Sequence, residues 1–400
     1  MTQTKGIALA LLVPAALMMF VAARADDDHN EKLNTYKHVT TISIPDLVGF
    51  DISWVDSESA RYYLADRGTG DTPAKPRIDV IDTDNNRLLH PIPMPNDVHG
   101  MPIAGNGVVA IHRTGSDGED DQPGTLVVGG SDSSAIFFDL AHPLAPPFAV
   151  PTGGKGRADE LAYDPRDHLI LIANDRAADL FVTLISTMSS PHVVGKIFYD
   201  GSVAGNPKST GGIEQPVWDG KTKRFYLAIP ATMGHANGEV DEIDPLGMSV
   251  AGDQGQGKIT RRFFTSCGPA GLVLIPGQRL MTSCGDVLDI KTGAVVFTVP
   301  NVGGDEIWFN PGDERVYFGG YKGINVPVVN GLRPYNQIAN LVVGFITPPP
   351  SHTTHSVAAD SENNKVFVPV SHEGVQVWTA EEDNDNDQGN DNDQGDHHDN

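Results

Sequence analysis

The sequence predicts an all-β fold, a β-propeller of seven four-stranded blades closed by an N-terminal strand. Three observations predict it: a strand–turn–strand phrase that returns along the chain, the lack of helical periodicity over any useful length, and a β-branched segment near the N-terminus that can complete the last sheet.

The phrase is plainest at 51–67 (DISWVDSESARYYLADR) and 159–176 (DELAYDPRDHLILIANDR). It recurs at 214–228 (EQPVWDGKTKRFYLA), 305–319 (DEIWFNPGDERVYFG) and 355–369 (HSVAADSENNKVFVP). Each copy is a short apolar strand, a polar turn and a second strand of β-branched or aromatic residues. Weaker copies run from near His99 into Gly105–Ile111 and from Ala270 through Leu280. Starts near 51, 99, 159, 214, 270, 305 and 355 give units of about 51 residues, within the range of propeller blades. Several copies add a third strand, as in 77–87, where alternation sets Ile78, Val80 and Leu88 on one face. The last unit stops after its third strand, Gly374–Trp378, and His38–Ile44 supplies the fourth, which removes an exposed edge.

The propeller occupies 26–380. Ahead of it, Lys5, the apolar run Ile7–Ala22 and Ala23-Arg24-Ala25 form the pattern of a signal peptide over 1–25, and hence of a periplasmic or secreted protein. A membrane anchor is the competing reading, but the run is about 16 residues where about 20 are needed to span. Behind the propeller, residues 381–400 repeat NDNDQG at 384–389 and 390–395 without an apolar residue, and read as a disordered acidic tail. The acidic segment Gly115–Gly124 reads as a surface loop or, alternatively, a cation-binding loop. The net charge of −24, nine units of it in the tail, disfavours nucleic acid and anionic membrane surfaces as partners.

The only cysteines, Cys267 and Cys284, flank a segment that turns at Pro276-Gly277-Gln278. Residues whose numbers sum to about 554 then face each other, and the pair falls close enough for a disulfide, the expected state in an exported chain with an even cysteine count.

The chemistry sits at one repeat offset. Five residues before the turn positions 56, 164, 219, 310 and 360 stand Asp51, Asp159, Glu214, Asp305 and His355. The next position adds Glu160 and Glu306, and His99 lies near the corresponding point of the second unit, whereas the fifth supplies only Ala270. In a regular strand only one member of Asp159-Glu160 or of Asp305-Glu306 can face the channel. Carboxylates and imidazoles gathered at a narrow mouth raise one another's pKa or recruit a cation. Oxygen donors favour Ca²⁺, Mg²⁺ or Mn²⁺, while His99 and His355 would draw Zn or Fe. The plainer reading makes the same residues strand-end caps that accept loop amides.

Two resemblances follow from these residues. Segments 80–87 (VIDTDNNR) and 355–370 resemble the YVTN-repeat propellers, whose blades read VAVDPKTNKVYVTN…VSVID; this implies the fold and little about function. Segment 214–219 (EQPVWD) resembles the EGPVWD phrase of the gluconolactonase and senescence-marker-protein group, six-bladed lactonase-like hydrolases in which that Glu binds a divalent metal. The resemblance implies a metal ligand at Glu214 and stops there, since the phrase lies mid-chain and seven units are counted here. The expectation is therefore an exported, monomeric propeller with a divalent metal in its acidic channel, acting on a small molecule as a hydrolase, lactonase or lyase. The alternative is a noncatalytic scaffold that binds a partner or a cation at the channel mouth. A redox propeller lacks support, because there is no Cys-x-x-Cys-His haem motif and no copper set.

Overall fold

Each copy of the repeated phrase folds as an antiparallel hairpin whose turn is set by its Asp or Asn. Asp164 Oδ1 accepts the Arg166 N–H, Asp219 Oδ1 that of Lys221, Asn310 Oδ1 that of Gly312, and Asp360 Oδ1 that of Glu362. These are Asx turns, and four residues beyond each the chain adopts left-handed φ at His168, Lys223, Glu314 and Asn364. Ala60 occupies the same position after Asp56.

The structure, a computed structural model, describes residues 36–44, 46–68, 75–112, 124–175, 180–188, 190–248, 254–320, 323–327, 338–341 and 353–380. The expected signal peptide, the tail, and the acidic loop apart from Gly124 lie outside the described residues. Among the described residues there is no helix, and none long and apolar enough to cross a membrane.

All strand pairing among the described residues is antiparallel. The first strands of successive sheet units are Gly49–Asp56, Gly105–Ile111, Ala158–Asp164, Pro216–Asp219, Leu272–Ile275, Glu306–Asn310 and Ala358–Ala359, and the unit that starts at Gly49 carries a fifth short strand, Ile92–Pro93, on Arg77–Asp82. The second unit thus starts at Gly105, not near 99. The third and fourth units merge into one eight-stranded sheet, because their outer strands pair at Gly195↔Gly255 and Lys196↔Gln254. A Cβ on Gly195 would lie 1.8 Å from the Gln256 carbonyl oxygen, so this junction requires glycine. The last sheet runs Ala358–Ala359, Val366–Val370, Gly374–Ala380, and then Tyr36–Ser43 from the other end of the chain.

The core is divided into layers between units, a consequence of strand alternation. Tyr63 and Ala65 pack with Val108, Leu126 and Phe138 of the second unit, whereas Tyr62 and Leu64 on the opposite face pack with Phe367, Val375 and Val377 of the seventh. Similar layers join the second unit to the third, third to fourth, fourth to fifth, fifth to sixth, and sixth to seventh. Each first strand lies beside the first strand of the next unit, and the seventh lies beside the first.

Cys267 and Cys284 are bonded. The hairpin pairs Leu272↔Thr282 through Ile275↔Arg279, as the turn at 276–278 demands, and the bridge ties the segment before it to the turn after its second strand.

Candidate functional site

The ends of the first strands are irregular where the ionisable residues sit. Register slips between Phe50 and Ser53, between Gly105 and Val108, and between Ala158 and Leu161. A bulge frees its residues from strict alternation and re-aims them. Asp159 and Glu160 are consequently both buried, at 2% and 7% exposure, and each lies within electrostatic reach of Glu214. The bulge buries both members of the pair, which strict alternation would set on opposite faces. Asp305 and Glu306 both act on Glu160 as well, because Asp305 precedes its strand while Glu306 begins it. The second unit reaches this region through Gly105-Asn106-Gly107; a Cβ on Gly107 would lie 2.3 Å from the Asp159 carbonyl oxygen.

Backbone and side-chain bonds knit neighbouring first strands together here. Asn106 donates to the Ala158 carbonyl at 2.8 Å, the Leu272 N–H to Gln215 Oε1 at 2.7 Å, and the Glu306 N–H to the His355 carbonyl at 3.2 Å. Ser356 Oγ receives the Ser53 N–H at 2.9 Å and donates to Glu306 Oε2 at 2.8 Å.

The site gathers seven carboxylates, those of Asp51, Asp159, Glu160, Asp175, Glu214, Asp305 and Glu306. Among the described residues, two guanidiniums oppose them. Arg157 Nη2 lies 2.7 Å from Asp159 Oδ2 and 2.9 Å from Asp175 Oδ2, with Nη1 3.8 Å from Asp51 Oδ2. Arg67 pairs with Asp51 and donates to Asn106 Oδ1 at 2.7 Å. His355 stacks on Phe50, ring centroids 5.0 Å apart, and its Nε2 lies 3.4 Å from Asp51 Oδ1.

Crowding and burial disfavour the charged forms. Burial and the Asp51 charge hold Asp159 well above the usual carboxylate range, against the Arg157 guanidinium. Burial, then Glu306 and Glu214, do the same to Glu160, and burial does so to Glu306 despite the Ser356 hydrogen bond. Glu214 is pushed up to about 8 by burial and Asp175, with Arg157 opposing. Ligand atoms of Asp159, Asp175 and Glu214 all lie within 4.8 Å of one another, a spacing at which this acidic triad could hold a metal ion.

Of the residues singled out from the sequence, Asp51, Asp159, Glu160, Glu214, Asp305, Glu306 and His355 are brought together. His99 is not: it stands exposed in a loop, its N–H on Asp97 Oδ1, because the second unit begins six residues later than its repeat spacing suggests. Asn106 fills that unit's place. Sequence reasoning missed Arg67, Arg157 and Asp175. Arg67 and Asp175 belong to the Asp-Arg endings of two second strands, and antiparallel pairing returns those endings to the starts of the first strands, as in Phe50↔Asp66 and Ala158↔Asn174. No known family model matches the chain, and no curated protein matches it.

Proposed function

We propose that the chain is an exported seven-bladed β-propeller of the YVTN-repeat kind that holds a divalent cation at its acidic channel mouth and uses it as a hydrolase, lactonase or lyase of small molecules. The carrying observation is the triad Asp159, Asp175 and Glu214, three oxygen donors from two adjacent units within 4.8 Å. The propeller reading is supported by the cyclic order of the apolar layers and first strands, and by the N-terminal strand that completes the last sheet. Export is supported by the signal-like N-terminus and is consistent with the disulfide.

The donors are hard, which favours Ca²⁺, Mg²⁺ or Mn²⁺. Such an ion supplies a Lewis acid to a carbonyl or phosphoryl oxygen. The chain's own residues would do the rest. His355, clamped between Phe50 and Asp51, holds or moves a proton at Nε2, and Asp51 fixes its orientation. Arg157 must turn aside for a cation to reach Asp159 and Asp175, and Asp51 lies within reach of its other nitrogen.

A noncatalytic scaffold is the second reading, and the same Arg157 favours it, since a guanidinium already bridges two of the three triad carboxylates. Metal analysis of the purified chain truncated after Ala380, with and without Glu214→Gln, separates the two. A tightly held divalent ion lost in the variant supports the first; absence of any such ion in both leaves the scaffold.

A further inference from the structure

We infer that Glu160 and Glu306 form a second divalent-cation position beside the triad, so that this cluster takes two ions. The inference rests on the proposed cation-binding role of the cluster but uses different ligands.

Both side chains are more than nine-tenths buried, at 7% and 4% exposure. Glu160 Oε2 and Glu306 Oε1 have no hydrogen-bond partner among the described residues. Buried polar oxygens are almost always paired, and here two carboxylates that act on one another electrostatically each keep one orphan oxygen. Ser356 accounts for the other oxygen of Glu306, and that hydroxyl is itself fixed by Ser53.

The charged groups that act most strongly on Glu160 are all carboxylates: Glu306, Glu214, Asp159 and Asp305. The two guanidiniums are committed elsewhere, Arg157 to Asp159 and Asp175, and Arg67 to Asp51 and Asn106. Among the described residues, neither guanidinium contacts Glu160 or Glu306, so a dication at the triad leaves the two orphan oxygens without a partner. A second ion between Glu160 and Glu306 supplies the missing partner to both orphan oxygens at once. Carboxylate oxygens supported by a hydroxyl suit a hard ion that keeps some water, which again means Ca²⁺, Mg²⁺ or Mn²⁺. The competing arrangement is a single proton shared by the two carboxyls.

The test is Mn²⁺ stoichiometry by electron paramagnetic resonance on the mature chain, acidic tail included, after desalting to strip loosely held ions. Three proteins are compared: the natural chain, Glu160→Gln/Glu306→Gln, and Asp175→Asn/Glu214→Gln. The inference expects two retained ions in the first and one in each variant. Should the Glu160/Glu306 double variant fail to accumulate, Glu160→Gln alone is expected to weaken one of the two ions at least tenfold. Unchanged stoichiometry in the Glu160/Glu306 variant overturns the inference and assigns the pair a shared proton. A single ion in the natural chain, lost only with Asp175 and Glu214, overturns it too while the triad stands. An Asp175/Glu214 variant that binds as the natural chain does, beside a Glu160/Glu306 variant that loses an ion, removes the triad and keeps this site.

Discussion

Replacing Glu214 by Gln in cation-free protein should change how stability depends on pH. Glu214 in the folded chain titrates at about 8, against an ordinary glutamate value of 4.5 in the unfolded one. The folded state therefore holds this proton more tightly, so the associated stability is fully present below about pH 4.5 and is lost as pH rises through 8. At about 1.4 kcal/mol per pH unit the full span is worth at most about 5 kcal/mol. Glu214 is partly open to solvent and Arg157 can turn toward it, so about 2 kcal/mol is the expected loss. Gln keeps the shape and the neutral form at every pH. Urea unfolding in chelator at pH 5, 6, 7 and 8 should show the two proteins alike at pH 5 and the Gln variant about 2 kcal/mol more stable at pH 8. With saturating cation the order at pH 8 should reverse, because the ion stabilises only the carboxylate form. A difference in chelator that does not change with pH, or a Gln variant that weakens relative to the natural chain as pH rises, would show that Glu214 does not gain proton affinity on folding.

Other consequences follow from the same contacts. Arg157→Gln removes the guanidinium that shares Asp159 and Asp175, and calorimetry should show divalent-cation affinity rising about tenfold, roughly 1.4 kcal/mol; weaker binding would mean that Arg157 supports the ion instead of excluding it. Breaking the Cys267–Cys284 bridge by Cys→Ser at both positions opens a constraint over a sequence separation of 17 and should cost about 3 kcal/mol in urea unfolding, while the native, non-reduced chain resists alkylation. Ile42→Ala, on the N-terminal strand that covers Gly374–Ala380, should cost about 2 kcal/mol through its buried side chain, and deletion of 36–44 should produce aggregation at the exposed edge, read by light scattering.

The repeat was legible because it has a local cause. Asp164, Asp219 and Asp360 each set a turn by bonding the amide two residues on, and alternation around that turn sorts side chains such as Tyr62 and Tyr63 to opposite faces. Seven of the eight residues singled out from the sequence come together for the same reason, since a fixed offset from a fixed turn, or the position after it, returns each to the same end of its sheet. His99 failed where that regularity fails: the second unit lacks the turn phrase, and its first strand starts at Gly105. The arginines were illegible for another reason. Arg157 precedes its strand and Arg67 ends one, and only the antiparallel return and the bulges around Asp51 and Asp159 bring them onto the carboxylates. Bulges have no sequence signature in these strands, so the co-burial of Asp159 with Glu160 could not be read in advance.

Asp159, Asp175 and Glu214 are expected to hold a divalent cation together. Titration of Mn²⁺ and Ca²⁺ into chelator-treated chain truncated after Ala380 tests this, with Asp175→Asn and Glu214→Gln measured alongside. Binding should be micromolar or tighter and each substitution should weaken it at least tenfold; equal binding by all three proteins, or none by the natural residues, contradicts a cation site at the triad.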